Sequence, residues 1–425
     1  VKHLGKSLEH SLLQLPQLTT KVALIYNLKL EAPPASSPAL GYDSSISADE
    51  PSLTPSTSSD ASSTVPVVHR SHRAGDLYAE WDTMETINAV RTAVEARYEV
   101  VMIEADESAY QKMLENRPFF AFNMAEGLNG VSRESQVPAM LEMLGIPYLG
   151  SDPLTLAVCL DKSRAKEILS YYNLPTAPFL VVRTPGELEA LRVSAQGGAS
   201  AGIPLHRIQR NGDLLRLPAM VKPLHEGSSK GIYDSSLVRT VDQLLEEVST
   251  VLSVYEEPAL VEEFLPGREF TVGVLGNGDQ ARTLPIVELR FDSLPSGVNQ
   301  IYSYEAKWIW DRVEDPLNIF QCPARLDSYL EENIRQLCLD AYRVLGCRDW
   351  ARIDARLDAA GVPHILELNP LPGVLPKPED NSCLPKAARA AGMSYNELIN
   401  HVLDIAMTRC GIPIHQRRQQ VAAVH

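Results

Sequence analysis

No stretch of the sequence approaches 18 consecutive apolar residues, and the opening segment "VKHLGKSLEHSLLQLPQLTTK" has no apolar core of the signal-peptide kind. Neither a membrane-spanning helix nor a secretory leader is expected. The six cysteines (Cys159, Cys322, Cys338, Cys347, Cys383, Cys410) show no C-x-x-C spacing, which suits reduced, mostly buried thiols of a cytoplasmic protein. Positive charge is in short supply: 39 Lys and Arg against 54 Asp and Glu leave a formal charge of -15. That balance argues against generic partnership with nucleic acid or an acidic membrane, so any site for an anionic ligand has to be locally concentrated. The P-loop pattern G-x-x-x-x-G-K-[ST] is missing as well.

At 425 residues the chain exceeds one ordinary core, and two or three units are expected. The apolar run Lys21 to Tyr26 reads as a buried first strand, and residues 1–20 as an extension before it. Residues 31–68, dominated by Ser and Pro, read as a disordered insertion. Beyond it come a helix near Thr83 to Glu95, the strands "EVVMIEA" and "PFFAFNMA", and a helix near Glu134 to Leu144. Strands alternating with helices predict a parallel sheet covered by helices, here over residues 21–152. A second unit, 153–265, holds the helix "LDKSRAKEILSYY" and the strands "FLVV", "PAMVKP" and "ALVEEFL". A third, 266–410, opens on two long strands, "REFTVGVLG" and "ARTLPIVELRF", contains the hairpin "ARIDARLDAAGVPHILELN", and leaves 411–425 as a tail.

The segment "AMVKPLHEGSSKGIY" admits two readings. Gly227 to Gly231 fits the G-x-S-x-G elbow of hydrolases, but "IYDSSLVRT" has strand and turn chemistry where that motif requires a helix. No downstream histidine has an evident acidic partner to complete a triad. Ser163 and Lys166 fit S-x-x-K without its companion motifs and are expected on the exposed face of a helix. The other reading is an anion-binding loop: Lys222 ends a strand, and a Gly/Ser turn with free N–H groups, two hydroxyls and Lys230 follows.

The hairpin strengthens the second reading. With the turn at Asp358 to Gly361, Asp354 is expected to face Ile365 and Arg352 to face Glu367. Alternation then puts Arg352, Asp354, Glu367 and Asn369 on one face, a hard-oxygen set suited to Mg2+ or Mn2+ beside phosphates.

From about Phe122 to Ala406 the chain resembles the D-alanine:D-alanine ligase branch of the ATP-grasp superfamily. The resemblance rests on six segments in order: "LGIPYLGSDPLTLAVCLDKSRAKEIL", "VKPLHEGSSKGI", "LVEEFLPGREFTVGVLG", "YSYEAKW", "ARIDARLD" and "ILELNPLPG". It implies an α/β (α+β) ATP-grasp fold behind an N-terminal parallel-sheet domain. It further implies that Lys162 and Lys222 contact ATP phosphates and that Ser228 and Ser229 close over them. Glu262, Glu263, Phe264 and Leu265 would surround adenine, Glu269 would hold the ribose, and Lys307 would reach in from a lid. Asp354, Glu367 and Asn369 would bind two Mg2+ or Mn2+ ions, with Arg352 and Ser228 as catalytic residues. The implied reaction joins a carboxylate to an amine through an acylphosphate, and the implied assembly is a homodimer of a cytoplasmic enzyme acting on small molecules. Phosphoryl transfer without amide formation, by a kinase or carboxylase, and ATP binding without catalysis are the alternatives.

Departures from the family gather on the amino-acid side. The glutamate-bearing loop expected after the first strand is replaced by "YNLKLEAPPASSP", the histidine-glycine segment by "FNMAEGLNGVSRESQ", and the lid tyrosine by Trp308. Glu80, Asp82, Glu126, Arg133 and Glu134 are the candidate substrate selectors, joined by Trp308 and Ser382. A substrate other than simple D-alanine is expected.

Overall fold

The computed structural model describes residues 21–29, 80–196, 203–204, 214–310 and 317–414. The expected extension, the 31–68 insertion and all but the first residues of the tail lie outside these, as does the side chain of Trp308.

Three large sheets organise the described residues, beside a two-stranded one of Ile203–Pro204 and Leu214–Leu215. In the first, all four strands run parallel in the order Glu99–Glu104, Lys21–Tyr26, Phe120–Asn123, Tyr148–Leu149. The interior of Lys21–Tyr26 is buried, as its unbroken apolar run requires. The helix Met84–Glu95 starts where the Thr83 side chain accepts from the Thr86 N–H, and it packs Ile87, Val90 and Val94 onto this sheet. The second helix of the sequence reading is shorter than expected, Gln136–Leu144, because residues Arg133–Ser135 form a separate 3-10 turn ahead of it.

The second sheet is antiparallel, in the order Phe179–Val182, Ala259–Glu263, Ala219–Pro223, Leu237–Val238. Its loop after Pro223 leads into a 3-10 turn at Asp234–Ser236, and the next helix is Val241–Thr250, so the hydrolase elbow has no helix behind its serine. The third sheet is built on Glu269–Leu275, which pairs antiparallel with Val287–Leu289 on one side and Trp350–Leu357 on the other. The long strand expected over "ARTLPIVELRF" is instead two short ones, Arg282–Thr283 and Val287–Leu289. Pro285 between them has no N–H to give a ladder.

The hairpin register differs from the expected one. Asp354 faces Glu367 and Arg352 faces Asn369, with a bulge between Asp354 and Ala355 beyond which Ala355 faces Ile365. Leu366 is the extra residue. The turn-side register alone would set Asp354 opposite Leu366, sending Asp354 and Glu367 to opposite faces; the bulge restores them to one.

One apolar core joins the first and third sheets. Phe120 and Phe122 of the parallel sheet, Trp350 and Leu289 of the third, and Leu398, Val402 and Met407 of the helix Tyr395–Arg409 belong to the same buried cluster. The rings of Phe122 and Trp350 meet edge-on at 5.8 Å. No helix among the described residues is long and apolar enough to cross a membrane, and the six cysteines are free.

Candidate active site

Cross-strand rows place the polar face of the third sheet. Glu269 lies opposite Arg356; Thr271, Asp354 and Glu367 stand side by side; Gly273, Arg352 and Asn369 form the next row. The Thr271 hydroxyl donates to Asp354 Oδ1 at 2.7 Å, and an Arg352 nitrogen lies 3.0 Å from Asp354 Oδ2 and 3.6 Å from Glu367 Oε1. The Asn369 amide is 3.5 Å from both carboxylates. Burial raises the Asp354 pKa against the pull of Arg352, with the Glu367 charge adding to the rise. Burial also opposes ionisation of Glu367, but Lys162, Lys222 and Arg352 outweigh it and bring that carboxyl down to about 2. Among the described residues no group of three His, Cys, Asp or Glu side chains converges as metal ligands; the hard-oxygen set is the two carboxylates with the Asn369 amide. Such a set fits Mg2+ or Mn2+.

The second sheet supplies the cationic wall. Lys222, 6% exposed, pairs with Glu262 Oε1 at 2.6 Å, and Lys166 reaches Glu262 Oε2 at 2.9 Å. Burial disfavours the Glu262 charge, yet the two ammonium groups hold its pKa at about 2. Lys162, at the start of the helix Lys162–Tyr171, donates to the Glu226 carbonyl at 2.5 Å and lies 3.9 Å from Glu367. It thereby links the two walls. Lys166 and Ser163 are buried, contrary to the exposed face expected of them, because this side of the helix packs over the Glu262 pair. Glu263 accepts from the Arg216 N–H at 2.8 Å, and Phe264 and Leu265 border the cavity with the Arg356 guanidinium 4.6 Å above the Phe264 ring. Arg356 also donates to Glu269 at 2.6 Å.

Between the walls runs the Gly/Ser loop. Ser228, Ser229 and Gly231 all have positive φ (51°, 61° and 74°), which turns the backbone tightly and holds two non-glycine residues in a sparsely populated region. At Gly231 a Cβ would come within 2.4 Å of the Pro223 ring, so glycine is required there. The Ser229 hydroxyl donates to the Tyr302 carbonyl at 3.0 Å, tying the loop to the segment that carries Lys307. Burial, with Arg352 nearby, lowers the Lys307 pKa to about 8.

The carboxyl edge of the parallel sheet closes the remaining side, as is usual for ligand clefts in such sheets. Glu80 and Asp82 follow the first strand across residues 30–79, and Glu126 and Glu134 follow the third. Burial pushes the Asp82 carboxyl up to about 7 against the pull of Lys29. Burial and the Glu80 charge take Glu134 to about 8, and burial with Glu134, Glu80 and Asp82 nearby raises Glu126 well above the ordinary range. Ser382 lines the same space, but its hydroxyl bridges the Gly373 carbonyl and the Leu375 N–H. One cavity of about 760 Å³ thus collects Glu80, Asp82, Glu126 and Glu134 with Lys162, Lys222, Lys307, Arg352, Asp354, Glu367 and Asn369.

The family model described as D-ala D-ala ligase C-terminus matches residues 194–404. The D-alanine–D-alanine ligase of Pelotomaculum thermopropionicum is 32% identical over 331 residues, 78% of this chain and 93% of that one. The chain belongs to the D-alanine–D-alanine ligase family. Its class is therefore that of an ATP-dependent ligase of carbon–nitrogen bonds. The uncharacterized protein y4sG of Sinorhizobium fredii is similar at 36% identity over 288 residues, 68% of this chain and 74% of that one. In fold, the D-alanine–D-alanine ligase from Bacillus anthracis complexed with ATP superposes with a TM-score of 0.58 at 20% identity, over 92% of this chain and 98% of that one.

Sequence reasoning missed Lys166, Glu226 and Arg356. Lys166 had a signal, since it stands four residues after Lys162 on one helix and so shares its face. Glu226 and Arg356 had none in the sequence beyond their neighbours.

Proposed function

We propose that the protein activates a substrate carboxylate with ATP and joins it to an amine, on substrates other than simple D-alanine. The observation that carries the reading is the meeting, in one cavity, of the Lys162 and Lys222 cationic wall with the Arg352, Asp354, Glu367 and Asn369 face.

In this scheme a substrate carboxylate oxygen attacks the γ-phosphorus of ATP, the bond to the β-phosphate oxygen breaks, and ADP leaves. The amine of the second substrate then attacks the acyl carbon, loses a proton, and phosphate departs. Lys162 and Lys222 would neutralise phosphate charge, and Ser228, Ser229 and the loop N–H groups would orient the transferred group. Asp354, Glu367 and Asn369 would hold Mg2+ or Mn2+, which would supply further neutralisation of the phosphate oxygens. Arg352, permanently charged and forked, would stabilise the oxyanion of the second step. Glu262 to Leu265 would take the base, and Glu269, Arg356 and Lys307 would enclose the rest of the nucleotide.

The acidic groups Glu80, Asp82, Glu126 and Glu134 on the substrate side support an amino substrate, whose positive charge would favour the ionised forms that burial disfavours in Asp82, Glu126 and Glu134. The division into units at 21–152, 153–265 and 266–410 belongs to the same proposal, as does pairing of two copies through the first unit, to be checked by sedimentation.

The test is phosphate release from ATP and Mg2+ against pairs of amino acids, with products identified by mass. ADP with an amide is the expected result, D-alanine alone being a poor substrate. A phosphorylated acid without amide would point to a kinase, and no turnover despite nucleotide binding would remove the ligase reading.

A further inference from the structure

Arg133 has no role in the scheme above, yet it is the most connected cation of the substrate side. It is 9% exposed, on the 3-10 turn Arg133–Ser135 that follows the third parallel strand. One terminal nitrogen lies 2.8 Å from Glu80 Oε2, 2.9 Å from the His225 carbonyl and 3.0 Å from Glu226 Oε2. Glu80 gives its other oxygen to the Gly227 N–H at 2.5 Å, and Glu226 gives its other oxygen to Lys230 at 2.8 Å. Every acceptor of this nitrogen is thus in the Gly/Ser loop or directly bonded to it. Glycine at 227 allows the close approach, since a Cβ there would lie 2.7 Å from Glu80 Oε1.

We propose that Arg133 is a positioning residue that fastens the base of the Gly/Ser loop to the substrate-side wall of the cavity. Through Tyr302, Ser229 holds the other end of the loop to the segment that carries Lys307. With both ends fixed, the loop passes displacement of the substrate wall to the groups that face the nucleotide. The inference rests on the reading of this loop as a phosphate clasp.

Hydrogen exchange of the full-length protein tests it, followed in peptides covering 224–233 and, as a control, the strand Glu269–Leu275. In the free protein, Arg133→Ala is expected to speed exchange of the loop amides by about tenfold, the usual scale for losing charge-assisted hydrogen bonds, with the strand unchanged. Arg133→Lys, lacking the planar fork, should recover part of the protection. Gly227→Ala, which displaces Glu80 while leaving Arg133 in place, should release the loop similarly. Should Arg133→Ala fail to fold, Glu226→Gln serves, with a smaller increase of about threefold expected. Loop exchange equal to wild type in the folded variants, or an equal rise in the control strand, would overturn the inference. A second arm adds the β,γ-imido analogue of ATP with Mg2+. Absence of added loop protection in the wild type would count against the nucleotide reading, while the free-protein comparison still decides the role of Arg133.

Discussion

Lys222 and Lys166 share the single carboxylate of Glu262, so the members of this trio are not equivalent when removed. Lys222→Ala leaves Lys166 and Glu262 as a matched pair. The fold should survive with a melting temperature within a few degrees of wild type, while ATP turnover falls at least about a hundredfold. Glu262→Gln leaves two buried ammonium groups without their counter-charge, and denaturant titration should show a loss of about 3 to 5 kcal/mol. The pH dependence has a definite sign. The Glu262 carboxyl ionises at about 2 in the folded chain against an ordinary 4.5, so its contribution is complete above about pH 4.5 and is lost as pH falls through 2. Urea midpoints measured from pH 6 down to pH 3 should therefore fall less steeply in Glu262→Gln than in wild type.

At the scale of elements, the loop and the 301–310 segment are tied by the Ser229 hydroxyl to the Tyr302 carbonyl and by the Tyr304 N–H to the Ile232 carbonyl at 2.7 Å, so loosening one tie should be felt in both. Ser229→Ala removes the hydroxyl donated to Tyr302, and the KM for ATP is expected to rise about fivefold with little change in melting temperature. Gly231→Ala sets a Cβ against Pro223 at positive φ and should cost about 1 to 3 kcal/mol, read in the same titrations. These elements were partly legible in the sequence. Alternation in the hairpin brought Arg352, Asp354, Glu367 and Asn369 to one face, although the pairing expected there was two residues out of step. Side-chain parity survives an even error, and that is why the face was right. The bulge at Leu366 was not legible, because nothing in an apolar residue announces that it will be left unpaired. Buried Lys166 was read as exposed, since the partner that makes its burial tolerable comes from a strand about ninety residues later.

The molecule as a whole draws its cavity from the three large sheets, and the core shared by Phe122 and Trp350 fixes two of them together. Asn27, Lys29 and Asp82, on either side of residues 30–79, meet at one point of this body. The Lys29 N–H donates to the Asp82 carbonyl at 2.8 Å and the Asp82 N–H to the Asn27 carbonyl at 3.2 Å, so the two flanks lie side by side. Replacing residues 31–78 by a short Gly/Ser linker should leave the circular dichroism spectrum of the remainder intact and shift the melting temperature by no more than a few degrees. A collapse of cooperative unfolding would show that the replaced residues belong to the body.

Lys222 and Lys166 share Glu262 beneath the Gly/Ser loop, and the Glu367 carboxylate across the cavity draws on both, in a place almost closed to water. A phosphate group entering between the walls would therefore compete with Glu262 and Glu367 for the same lysines, so ligand binding and the pairing of the interior would draw on one set of charges.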